Sequence, residues 1–276
     1  MITQIVNLEK EYGIKGTLDC IVHEYPGGAG NKEKRRPAVI VAPGGAYAFL
    51  SDREALQIGY AFLAKGFQAF VLHYSVSQEG ACYPEQLIQI GAAIDYIKKN
   101  AEMFFVCPDE VFAVGFSAGG HLVGNLAVEW DKIPPKYGKE LDCKVKAVGL
   151  CYPVISSETG YKDSHENLLQ GYTEETKQEL LKVLDLDKAV GGQTPPTFIW
   201  TTAEDNIVPS ENSLLFALAL ARNKIPYELH VYPQGPHGLS TCDFEVNNLR
   251  ESYLKKNAQW LNDCADFFRL YTEDKF

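Results

Sequence analysis

Short apolar runs recur along the chain, and most are followed by a longer stretch with apolar residues at helical spacing. Residues 2–8 and 17–25 alternate apolar and polar positions, with Leu18, Cys20 and Val22 at period two, and predict two strands. Ala38–Ala42 is apolar throughout, as expected of a parallel strand covered on both faces. Further strands are predicted at Phe67–His73, Val111–Val114, Val145–Cys151, Phe198–Thr201 and Tyr227–Tyr232. Helices are predicted over Asp52–Lys65, Pro84–Asn100, Ala118 to about Glu129, Ser210–Asn223 and about Asn247–Tyr271. Ser51 is placed to cap the first of these and Gly66 to stop it, while Pro84 suits a first helical turn. Strand followed by helix, several times over, predicts an α/β fold with a mostly parallel sheet and right-handed crossovers. No internal repeat or low-complexity linker divides the chain, so residues 1–276 read as a single domain.

Two intervals depart from this rhythm. The stretch 26–37, PGGAGNKEKRRP, reads as a turn-rich charged loop. Residues 152–196 are far longer than the roughly 2–6 residues of an ordinary connection, and include a helical pattern at Glu174–Leu184. They read as a cap or lid inserted over the carboxyl ends of the strands, the alternative being one crossover helix with long loops.

Composition narrows the function classes. The formal net charge is −10 and no basic cluster exists beyond Lys32–Arg36, so nucleic acid and anionic membrane are poor partners. No apolar run approaches the roughly 20 residues of a membrane span. The opening MITQIVNLEKEYGIKG lacks a basic region followed by an apolar block, so no secretory signal is expected. Seven scattered cysteines, an odd number without a C-x-x-C pair, fit free thiols in a reducing cytoplasm better than a disulfide framework or structural zinc.

The chemistry gathers around VFAVGFSAGGH, residues 111–121. Ser117 lies between Gly115 and Gly119, at a strand end and before a helical run. Glycines there permit a sharp strand-to-helix turn that exposes a hydroxyl and aims unpaired helix N–H groups at a ligand. A glycine-rich turn in another doubly wound fold would look similar, so partners decide the matter. A serine nucleophile needs a histidine base and a carboxylate to hold it. Among six histidines, His237 falls in the loop directly after the last strand, in PQGPHG. His230 reads as a strand residue, His165 falls in the 152–196 interval, and His121 reads as a packed or hydrogen-bonded helix residue. Asp205 follows the strand Phe198–Thr201 and precedes a helix, with the adjacent Glu204 as the alternative or as a group holding the loop. An oxyanion would be held by the N–H of Ala118 and by that of Gly45 or Ala46, in the small-residue loop after Ala38–Ala42. Tyr47 and Tyr74 are candidates to flank the substrate.

These stretches together resemble the α/β-hydrolase superfamily: Pro43-Gly44-Gly45-Ala46-Tyr47, Gly115 through Leu122, Asp205-Asn206-Ile207-Val208-Pro209 and Pro236-His237-Gly238. Within it, the chain resembles small esterases and acetyl xylan esterase-like proteins, near the hormone-sensitive-lipase-like and kynurenine formamidase-like groups. The resemblance implies an eight-stranded, mostly parallel sheet and a Ser–Asp–His hydrolase that removes small acyl groups, often acetyl, from sugar hydroxyls. The substrate expected is thus a small ester such as an acylated saccharide, with no cofactor and no metal required. Where related lipases carry His-Gly-Gly-Gly, this chain has Pro43-Gly44-Gly45-Ala46, which keeps the backbone donors and loses the histidine. An arylformamidase or small amide hydrolase with the same three residues is the rival enzyme, and a hydrolase fold kept as a binding module the rival non-enzyme. A homo-oligomer is compatible with the pattern.

Overall fold

The structure is a computed structural model, and it describes residues 2–24, 35–134, 140–247 and 251–273. Most of the predicted loop 26–37, the end of the predicted strand 17–25 and residues 248–250 of the predicted final helix lie outside the described residues.

Eight strands form one sheet: β1 (Ile2–Asn7), β2 (Thr17–Val22), β3 (Arg36–Ala42), β4 (Gln68–His73), β5 (Val106–Phe116), β6 (Val148–Cys151), β7 (Thr197–Thr202) and β8 (Tyr227–Tyr232). Their order across the sheet is β1-β2-β4-β3-β5-β6-β7-β8. β2 runs antiparallel to both β1 and β4, and every other pairing is parallel. The antiparallel start follows from a short connection. Helix α1 (Leu8–Tyr12) ends at Gly13 in the left-handed conformation, φ +65°, so the chain reverses within a few residues. The later strands are each separated by a helix, which is what a parallel crossover requires.

Successive residues of a strand face opposite sides of the sheet, and here both sides are dry. From β3, Ala38, Ile40 and Ala42 enter one core, while Val39 and Val41 enter the other. On the first face, helix α3 (Glu85–Lys99) and helix α4 (Ala118–Glu129) supply Ile90, Ile94, Leu122 and Leu126. The second face is aromatic, packed by helix α2 (Leu56–Ala64) and the helix Trp260–Arg269. Phe112 stacks on Phe268 at 4.6 Å between ring centroids, and Trp200 on Trp260 at 5.3 Å. Such rings each bury on the order of 150–250 Å² and fix the sheet against its outer layer.

Several predicted bounds shift for local reasons. β5 begins at Val106 rather than Val111, because Arg36 pairs with Val106 across an irregular register before the regular ladder resumes at Ala38. The predicted helix Asp52–Lys65 is a 3₁₀ turn, Asp52–Glu54, followed by α2, with Ala55 at φ −104°, ψ −109° between them. Ser51 precedes that turn but its side chain makes no capping bond. In place of the predicted helix Asn247–Tyr271, the described residues from Phe244 on hold three shorter helices, Phe244–Asn247, Ser252–Asn257 and Trp260–Arg269.

Within 152–196 lie three helices: α5 (Asp163–Leu168), α6 (Glu174–Leu184) and α7 (Leu186–Ala189). Thr173 accepts from the Thr176 N–H and starts α6, whose only fully buried residue is Leu184. α6 is therefore an outer helix held by one apolar edge.

Candidate active site

The carboxyl ends of β3, β5, β6 and β7 converge, and the loops leaving them build a single cluster of polar groups. At its centre is Ser117, between β5 and α4, with φ +53° and ψ −117°. This is a backbone position that a residue with a side chain rarely occupies, and it persists because the turn around it is tightly packed. A Cβ on Gly115 would stand 2.1 Å from the Gly119 carbonyl oxygen, and one on Gly119 would stand 2.2 Å from that of Ala42. Gly115 is thus demanded by the tightness of the turn itself, and Gly119 by its contact with the end of β3.

The loop after β8 carries His237 back across the sheet edge. Its Nε2 lies 2.9 Å from Ser117 Oγ, and its Nδ1 lies 2.6 Å from Asp205 Oδ2. Asp205, in the loop after β7, is buried, and its other oxygen accepts from the N–H groups of Ile207 and Val208 at 3.0 and 2.9 Å. Those bonds fix the carboxylate before the imidazole meets it. The structure therefore brings Ser117, His237 and Asp205 into one hydrogen-bonded line. Glu204 points elsewhere, accepting from Gly235 N–H at 3.0 Å and so tethering the His237 loop. His230 stays on β8, paired with Glu228 at 2.6 Å.

Beside this line is a cavity of about 230 Å³, lined by Ser117 and His237 and by Gly45, Ala46, Glu54 and Ile207 among others. Gly45, Ala46 and Tyr47 all have positive φ, at 123°, 54° and 58°, which curls the loop after β3 around one end of it. Ala118 opens α4, and its N–H is one of those that a helix start leaves without an internal acceptor.

Tyr47 and Tyr74 lie elsewhere than expected. Both are buried and neither lines this cavity. Tyr74 donates to the Pro43 carbonyl at 2.6 Å, and Tyr47 is bonded to His121 Nδ1 at 2.9 Å. They brace the loop from behind because their rings extend into the core under it. His121 Nε2 in turn meets the Leu184 carbonyl at 2.9 Å. Burial, with His165 nearby, pushes His121 down to about 3, so its ring is neutral and relays between Tyr47 and α6. Asn167 on α5 donates to the Ala46 carbonyl at 2.9 Å, which ties 152–196 directly to the same loop.

Two groups were absent from the sequence expectation. Glu54 is buried and accepts from Gly44 N–H at 3.0 Å and from the Tyr152 hydroxyl at 2.7 Å. Tyr152, at the end of β6, places its ring 5.0 Å from that of His237 and accepts from Ser240 N–H at 2.9 Å. A buried Glu two residues after Asp52 in a helical pattern offers no signal of this, since its partners sit in the loops after β3 and β6.

The sheet order, the single antiparallel strand near one edge and the Ser117 turn define an α/β hydrolase. The family model described as BD-FAE matches residues 28–220, and the chain belongs to that family. A curated relative, endo-1,4-beta-xylanase B of Butyrivibrio fibrisolvens, is 35% identical over 245 residues, which is 87% of this chain and 37% of that protein. The acetylxylan esterase of Xylanibacter ruminicola is 27% identical over 263 residues, 92% of this chain and 48% of the other. The chain thus spans about half or less of the length of these two curated relatives. Among solved structures, an acetyl ester-xyloside bifunctional hydrolase from Caldicellulosiruptor lactoaceticus has a TM-score of 0.79 at 28% identity, covering 97% of this chain and 96% of that one.

Proposed function

We propose that the protein is a serine esterase that removes short acyl groups, acetyl foremost, from hydroxyl-bearing substrates such as acetylated xylo-oligosaccharides. The observation that carries this reading is the continuous line from Ser117 Oγ through His237 to the buried Asp205 carboxylate. The names of the xylan-acting relatives support the sugar ester as substrate. The cavity supports a small acyl group: at about 230 Å³ it is smaller than the roughly 300–1,000 Å³ of most ligand sites.

In this mechanism Asp205 holds His237 with Nδ1 protonated and Nε2 facing the serine. His237 takes the proton of Ser117 as Oγ bonds to the ester carbonyl carbon. The carbonyl oxygen becomes an anion, and the N–H groups of Ala118 and of Gly45 or Ala46 receive it. The intermediate collapses, the bond to the alcohol oxygen breaks, and His237 returns its proton to the departing alcohol. Water then attacks the acyl-serine, giving its proton to His237. The acid leaves and the proton returns to Ser117. The same reading takes 152–196 as a cap and the whole chain as one domain. It puts the protein in the cytoplasm, where its seven cysteines, none in a disulfide, would stay reduced.

The test is a panel of aryl esters with acyl chains of increasing length, followed by acetylated xylo-oligosaccharides and N-formylkynurenine. A sharp preference for two carbons, retained on the oligosaccharide, supports the proposal. Strong turnover of chains of about eight carbons, or of the formamide over the esters, overturns the substrate class.

A further inference from the structure

The esterase mechanism uses three side chains and a few backbone donors, and it leaves the buried carboxylate that lines the cavity, Glu54, without a task. Glu54 is only 4% exposed and borders the cavity beside Ser117. Among the described residues no Lys, Arg or His forms an ion pair with it. Its neighbour Arg53 turns away and donates to the Val246 carbonyl at 3.1 Å and to Asn247 Oδ1 at 2.7 Å. A carboxylate out of water without a cation is costly unless neutral donors replace the lost solvent. Here two do, and they come from different elements: Gly44 N–H from the loop after β3, and the Tyr152 hydroxyl from the end of β6.

The connections close into a circuit. Tyr152 passes the link to Ser240 by accepting its N–H at 2.9 Å, three residues beyond His237. The Ser240 hydroxyl donates to the Arg53 carbonyl, which returns the circuit to the residue before Glu54. The joined points are strained ones, with φ +38° at Tyr152 and +52° at Ser240, and the Gly44 link lies beside Gly45 and Ala46 at positive φ. Gly44 itself leaves no room for a side chain, because a Cβ there would stand 2.6 Å from Glu54 Oε2. Burial and the adjacent Glu54 charge push the Tyr152 hydroxyl well above its ordinary range, so it stays protonated and donates.

We propose that Glu54 is a positioning residue: its carboxylate ties the loop bearing the Gly45 and Ala46 donors to the loop bearing His237, so that anion site and base are held at one spacing. This rests on the esterase reading of Ser117, Asp205 and His237. Its test is steady-state kinetics on an aryl acetate for Glu54→Ala, Glu54→Gln and Tyr152→Phe, together with backbone amide exchange at Gly44 and Ser240. Misplaced anion donors weaken the transition state more than substrate binding, so Glu54→Ala is expected to lower kcat roughly 10–100-fold with KM within about threefold. Glutamine keeps an acceptor for Gly44 N–H and is expected to recover part of that loss. In exchange, Glu54→Ala deprotects both amides, whereas Tyr152→Phe deprotects Ser240 and leaves Gly44 protected. A kcat for Glu54→Ala within about twofold of wild type, where Ser117→Ala is inactive, overturns the proposal. A wild-type chain that hydrolyses no ester removes the esterase reading instead. The exchange data then decide the brace alone, and unchanged protection at Gly44 in Glu54→Ala overturns it.

Discussion

At the scale of single residues, the proposed chemistry rests on one hydroxyl and the order in which its partners are fixed. Ser117→Ala is expected to lower the kcat/KM of an aryl acetate by several orders of magnitude without changing the unfolding midpoint. Asp205→Asn leaves the shape and reverses the hydrogen-bonding sense at His237 Nδ1, so a loss of about 10⁴-fold is expected, to be read by the same assay. His121 gives a separate expectation for stability. Its folded value is about 3 against 6.5 for the free side chain, so between those values the unfolded chain binds the extra proton. Stability from this residue is therefore full above pH 6.5 and falls as the pH drops, by roughly 1 kcal/mol per pH unit. Denaturant unfolding between pH 6 and 4 is expected to show a shallower fall for His121→Gln than for wild type. The meeting of Ser117, Asp205 and His237 was legible in the sequence because each stands in a short, glycine- or proline-marked loop at a predictable strand end. Glu54 was not, because its hydroxyl partner Tyr152 is 98 residues away. Tyr47 and Tyr74 misled, since a tyrosine past a strand end looks the same whether its ring turns to the ligand or under the loop.

At the scale of elements, the turn between β5 and α4 is the most constrained join in the sheet. Gly115→Ala and Gly119→Ala each drive a methyl into a backbone carbonyl. They are expected to cost about 1–3 kcal/mol or more, at roughly 2–4 °C of Tm per kcal/mol for a chain of this size. Gly192 is the control: a methyl added there would meet nothing within 4 Å, and Gly192→Ala is expected to leave Tm within a degree or so. Differential scanning calorimetry on the three variants checks this. The central strands were legible because burial on both faces makes them apolar without interruption. The entry to β5 was not: its exposed Pro108 and Asp109 read as loop, yet pairing with Arg36 carries the strand through them. α1 also escaped prediction, since five residues are too short for a helical period to be seen.

At the scale of the whole molecule, none of the seven cysteines is in a disulfide and most are buried. Burial pushes the Cys20 and Cys143 thiols up to about 12, which suppresses the reactive thiolate. Thiol titration is expected to find Cys82 and Cys107 first in the native protein, and all seven after unfolding without reductant. The alternation of strands and helices made the architecture legible from the sequence. The docking of 152–196 was legible only as an interruption, because nothing local says where an outer helix settles.

The Asn167 bond to the Ala46 carbonyl and the His121 bond to the Leu184 carbonyl carry a consequence for how substrate arrives. The first bond holds α5 to the turn that carries Gly45 and Ala46, and the second holds the end of α6 to α4, so lifting 152–196 would pull on both. Phe49 and Ile207 are exposed and line the cavity beside Ser117, so under the proposed esterase reading substrate enters past them while 152–196 keeps both bonds.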